Sequence, residues 1–129
     1  MPMEKIVLST SEASRPVATY SQTIRAGSLV FVAGQVGIDP KSGELVHGGI
    51  RAQIKQAIEN LRAVLAIAGI GLDQVVKTTV FLRRARDYKP MNDVYKEYFA
   101  DKPPARTTVQ AIPPLKSILI ELEAVACIP

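Results

Sequence analysis

The sequence predicts an α+β fold, with a single six-stranded, mainly antiparallel sheet carrying two helices on one face, in one domain spanning residues 1–129. Three observations lead there. Apolar residues recur at helical steps in two segments. Short β-branched runs bounded by turn residues surround those segments. No internal repeat, low-complexity tract or shift in composition divides the chain. A chain of this length can bury roughly two-thirds of its unfolded surface around one core without disulfides or metals.

The elements follow in chain order. Ile6 to Ser9 is a short strand, and Thr19 to Arg25 and Leu29 to Val36 are two strands about the turn Ala26-Gly27-Ser28. The second of these, Leu29-Val30-Phe31-Val32-Ala33-Gly34-Gln35-Val36, is nearly all apolar yet carries Gly34 where a side chain would pack. Gly34 therefore marks a bulge, a close approach by a ligand, or a tightly packed position. After a loop punctuated by Asp39-Pro40 and His47-Gly48-Gly49, residues Ile50, Ile54, Ile58, Leu61, Leu65 and Ala68 form one apolar stripe on a helix ending at Gly69-Ile70-Gly71. Val75 to Leu82 is a buried strand, reached by a crossover from Leu29 to Val36 that makes a right-handed βαβ unit. Pro90 opens a second helix with Met91, Val94, Tyr95, Tyr98 and Phe99 at helical spacing, and Pro103-Pro104 forbids its continuation. Two closing strands run from about Arg106 to Ile112 and from Ile118 to Cys127.

Composition excludes several classes. With 47% hydrophobic and 22% charged residues the chain is neither disordered nor membrane-spanning, and the first residues, Met1-Pro2-Met3-Glu4-Lys5-Ile6, lack the apolar run of a signal peptide. Sixteen Lys+Arg against twelve Asp+Glu leave a net charge of +4, which favours anionic ligands. The longest basic cluster is Arg83-Arg84-Ala85-Arg86, and aromatics are 5% of the chain, so the basic stripe with interleaved aromatics that single-stranded nucleic acid requires is missing. A single cysteine, Cys127, excludes an internal disulfide and fits a reducing, cytoplasmic compartment. The lone histidine, His47, cannot hold a metal by itself, no ligand spacing accompanies it, and Ala33-Gly34-Gln35-Val36-Gly37 has neither phosphate-loop nor dinucleotide spacing. No metal and no nucleotide cofactor are expected.

The chemistry concentrates near the end. One permanent cation, Arg106, and one carboxylate, Glu121, sit in otherwise apolar strands. A guanidinium grips a carboxylate through two parallel hydrogen bonds, and a glutamate can hold or activate water, so a small anionic substrate and a hydrolytic step are suggested. Alternation puts Leu119, Glu121, Glu123 and Val125 on the face away from the helices, either as a solvated surface or, given its apolar members, as a subunit interface. A symmetric hairpin about Pro113-Pro114 would set Arg106 opposite Glu121.

Five ordered blocks carry a resemblance. They are Tyr20-Ser21-Gln22, Leu29 to Gln35, Val76-Lys77-Thr78-Thr79-Val80-Phe81-Leu82, Met91-Asn92-Asp93-Val94-Tyr95, and Pro104-Ala105-Arg106 with Ile120-Glu121-Leu122-Glu123-Ala124. Over essentially its whole length the chain resembles the RidA (YjgF) family of imine deaminases. The resemblance implies a chorismate mutase-like homotrimer with clefts between subunits. It also implies hydrolysis of 2-iminobutanoate, 2-iminopropanoate and related 2-imino acids to 2-keto acids and ammonia, without a cofactor. Arg106 would bind the substrate carboxylate and Glu121 the attacking water, with Tyr20, Ala33, Gly34, Asn92 and Thr108 completing the substrate site. The chain departs from the family where Ala33 replaces a frequent Ser, Thr108 a frequent Cys, and Pro114-Leu115 a usual Leu-Pro. Alternatives from other classes are a trimer that binds 2-keto acids without turnover, and an RNA-acting inhibitor of translation.

Overall fold

The computed structural model describes residues 3–129, and Met1 and Pro2 lie outside the described residues. Six strands, β1 (Lys5–Leu8), β2 (Thr23–Ala26), β3 (Leu29–Val36), β4 (Val75–Leu82), β5 (Ala105–Gln110) and β6 (Ile120–Cys127), form one sheet in the order β1-β2-β3-β6-β4-β5. Two helices, α1 (Gly49–Ile67) and α2 (Tyr88–Phe99), cover one face. The sheet is mixed: β4 and β5 pair in parallel, and the other neighbours are antiparallel.

Burial explains why the sheet has one covered face. In β6, Ile120, Leu122, Ala124 and Ala126 are buried while Glu121, Glu123, Val125 and Cys127 are not, the alternation expected of a strand covered on one side. Val30 and Val32 of β3, Val80 and Leu82 of β4, and the α1 stripe Ile54, Ile58, Leu61 and Leu65 meet these residues in the core, joined by Met91, Val94, Tyr95 and Phe99 of α2. The opposite face keeps Leu29 and Phe31 38% and 44% exposed beside Val125 and Glu123. Gly37 permits close contact between layers, since a β-carbon there would come within 2.7 Å of the α1 backbone at Gln53. Helix α1 ends as its sequence dictates, with Gly69 at positive φ and the amides of Gly69 and Ile70 donating back to Ala66 and Leu65.

Three expectations change. The strand expected from Thr19 begins at Thr23, because Gln22 turns its buried side chain to the Thr10 amide and to the Thr10 and Ser14 carbonyls, clamping residues 10–20 as a loop. The strands joined by the α1 crossover run the same way, yet β6 lies between them, so the directly paired parallel strands are β4 and β5, joined through α2. The closing strands do not form a hairpin. Residues 111–119 carry the chain past β4, and β6 inserts between β3 and β4.

Candidate active site

The β3 bulge builds one half of the site. Val32 pairs with Ala124 and Gln35 with Leu122, so Ala33 and Gly34 together oppose Glu123. Beyond the bulge Val36 pairs with Glu121, whose carboxylate lies across Gly34: a β-carbon there would overlap Glu121 Oε2 and sit 2.8 Å from Cδ. The bulge and the tight packing expected of Gly34 therefore both hold, and the close neighbour is the glutamate side chain. Tyr20, Ala33, Gly34 and Glu121 line a cavity of about 430 Å³ whose other walls include Val36, Pro113, Leu115 and Ile118. Among the described residues no hydrogen-bond donor engages the Glu121 carboxylate. Burial, and after it the neighbouring charge of Glu123, raises the Glu121 carboxyl above its ordinary value.

The other half stands on α2. Arg106 pairs with Thr78 on β4 and shares its helix-covered face. Its guanidinium donates through Nη1 to Asn92 Oδ1 and through Nη2 to the Tyr88 hydroxyl, each at 2.9 Å, and its Cζ lies 4.6 Å from the Tyr95 ring centroid. Tyr95 is itself fixed by a 2.8 Å hydrogen bond with Thr78 Oγ1, and burial raises its phenol, so the ring stays neutral beneath the cation. Of the five N–H groups of a guanidinium, Asn92 and Tyr88 take two, leaving three for a ligand. Thr108, two residues along β5, pairs with Val80, lies on the same face and lines a smaller cavity with Tyr88.

Within one chain the two halves are apart. Arg106 and Glu121 flank β4 on opposite sides, at Thr78 and Phe81, and on opposite faces of the sheet. Ordinary strand spacings put their α-carbons roughly 14 Å apart. The direct Arg106–Glu121 apposition expected from a hairpin about Pro113-Pro114 is thus overturned, because β4 occupies the place between β5 and β6.

A family model described as Endoribonuclease L-PSP matches residues 10–128, which takes in both halves of the site. The chain belongs to that family. Among its L-PSP relatives, a RutC family protein of Pyrococcus abyssi is 48% identical over 124 residues, covering 96% of this chain and 98% of the relative. The rat protein named 2-iminobutanoate/2-iminopropanoate deaminase is 42% identical over 120 residues, 93% of this chain and 88% of its own. The crystal structure of RidA from an Antarctic Psychrobacter matches with a TM-score of 0.91 at 35% identity, covering 95% of this chain and 99% of that one. The resemblance to RidA proteins is borne out.

Four further residues shape the candidate site that the sequence reading did not single out. Tyr88 and Tyr95 support Arg106, and their signal was present: with Asn92 they fall at i, i+4 and i+7 on one face of α2. Arg83 and Gln53 hold the 111–119 loop by its backbone, and only the buried polar position of Gln53 on the α1 stripe hints at it. Among the described residues no cluster of three or more His, Cys, Asp or Glu could hold a metal ion, and no helix is long and apolar enough to cross a membrane.

Proposed function

We propose that the protein hydrolyses 2-imino acids such as 2-iminobutanoate and 2-iminopropanoate to 2-keto acids and ammonia, at clefts completed between copies of the chain in a homotrimer. The observation that carries this reading is the state of Glu121. Its carboxylate is half-buried in an apolar cavity, has no donor partner among the described residues, and holds its proton above the ordinary range. Such a group suits proton transfer to and from water closer to neutral pH than an ordinary glutamate does. The name of the rat relative, at 42% identity, supports the same chemistry.

Arg106 would bind the substrate carboxylate with its remaining N–H groups. Water held by Glu121 would add to the iminium carbon as the carboxylate takes one of its protons, giving a carbinolamine. Glu121 would return that proton to nitrogen, ammonia would leave as the hydroxyl oxygen closes to a carbonyl, and the hydroxyl proton would pass through Glu121 to the departing ammonia, leaving Glu121 as the carboxylate again. The balance is iminium plus water to ketone plus ammonium. A protonated imine is already a good electrophile, so orientation is the main requirement on the protein.

The split of the two halves across one sheet supports a shared site. One chain presents Glu121 on one face and Arg106 on the other, so a second copy would supply the complement. The apolar open face around Phe31 and Val125 gives such an assembly something to bury. The test is the initial rate of ammonia release from 2-iminopropanoate generated in place. Parent protein is expected to accelerate it, and Arg106→Ala to abolish the acceleration. Saturable pyruvate binding with unchanged release would instead establish the binding protein without turnover.

A further inference from the structure

One wall of the Glu121 cavity is a loop whose backbone is held by side chains from elsewhere. Arg83, the residue after β4, donates through Nε to the Ile118 carbonyl at 2.7 Å and through Nη2 to the Pro113 and Leu115 carbonyls at 3.2 Å each. From α1, Gln53 donates through Nε2 to the Ser117 carbonyl at 3.2 Å and accepts from the Leu119 amide at 2.8 Å. Residues 113–118 therefore answer to two side chains rather than to a sheet ladder. They contribute Pro113, Pro114, Leu115 and Ile118 to the cavity, facing Val17 and Val36.

We propose that Arg83 is a positioning residue for substrate selectivity, bracing this loop so that an apolar chamber stays open beside Glu121 for the side chain of the imino acid. The proposal rests on the deaminase reading and names its substrate class: 2-imino acids with a branched aliphatic chain of leucine size, ahead of those with a methyl group or a second carboxylate. The cavity, about 430 Å³ in one chain, has room beside the reacting carbon at Glu121 for more than a methyl group. Its polar side chains are Tyr20 and Glu121, and a second substrate carboxylate would face the latter's charge. Three carbonyls converging on one residue suit a planar guanidinium, whose N–H directions are rigid, better than a flexible ammonium. Released from Arg83, the loop would lose its register while Glu121, held in β6 between β3 and β4, would not.

The experiment measures kcat and KM on imines generated from leucine, alanine and glutamate, and the calorimetric binding of 4-methyl-2-oxopentanoate and pyruvate, in parent, Arg83→Ala and Leu115→Trp proteins. Parent kcat/KM should favour the leucine-derived imine by about tenfold or more over the other two. Arg83→Ala should raise KM for that imine about tenfold, with less loss on the alanine-derived one and no movement of the acid limb of the pH profile. Leu115, 44% exposed, tolerates replacement, so Leu115→Trp fills the chamber and reproduces the selective loss even if Arg83→Ala fails to fold. Equal losses on both imines, a fall in kcat alone, or parent indifference to chain length would overturn the proposal. A parent protein that hydrolyses no imine would sink the deaminase reading instead. Calorimetry then decides the chamber: 4-methyl-2-oxopentanoate binding more tightly than pyruvate, and weakened by both variants, sustains it, and equal binding ends it.

Discussion

Glu121 owes its chemistry to its surroundings. Glycine at position 34 leaves room for its carboxylate against the β3 backbone, and the cavity strips water from it. The folded protein thus holds the Glu121 proton more tightly than the unfolded chain does. The sign follows: this contribution favours folding most at pH below the unfolded value and is lost as pH rises through the window up to the higher folded value. Above that window Glu121→Gln is expected to melt at a higher temperature than the parent while losing imine hydrolysis, and a lower melting temperature would contradict the assignment. The same carboxyl should set the acid limb of the rate, with a midpoint above that of an ordinary glutamate. Glu123→Gln, which removes the second cause of the shift, should move that limb toward lower pH.

At the scale of elements, α2 is a platform for a cation. Tyr88, Asn92 and Tyr95 present two hydrogen-bond acceptors and an aromatic face to Arg106, whose strand lies at the sheet edge. An edge strand alone would leave a long side chain free to swing, and the helix removes that freedom. A hydrogen bond to a charged group contributes about 1.5–3 kcal/mol. Asn92→Ala is therefore expected to raise KM for 2-iminopropanoate about tenfold with a smaller change in kcat, because in the proposed function Arg106 would hold the carboxylate in ground and transition states alike. Steady-state kinetics on the purified variant check this, and an unchanged KM would mean that Asn92 does not orient the guanidinium. The helix itself was legible from its apolar spacing. Its role was not, because helical periodicity says which face is inward and nothing about which strand that face meets.

For the whole molecule, the consequential fact is that Arg106 and Glu121 lie on opposite faces of one sheet. If the site forms between copies, Arg106→Ala and Glu121→Gln proteins, each inactive alone, should recover activity when unfolded together and reassembled. In a ring of three with random mixing, on the order of one cleft in four then pairs an intact arginine with an intact glutamate, and about that fraction of parental activity should return. No recovery would mean that each chain supplies its own site. Local patterning alone determined both helices, the approximate place of each strand and the two charged residues worth asking about: alternation, helical spacing and proline act over a few residues and need no partner, though the buried Gln22 side chain decided where β2 starts. The same patterning could even specify which face of β6 carries Glu121, since side chains alternate whatever the neighbours are. Strand order was decided only in three dimensions. Whether β6 pairs with β5 or slides between β3 and β4 depends on which arrangement buries both its edges and its apolar face together, a sum over contacts distant in sequence. Because Arg106 and Glu121 belong to different strands, that sum also decided that no single chain brings them together.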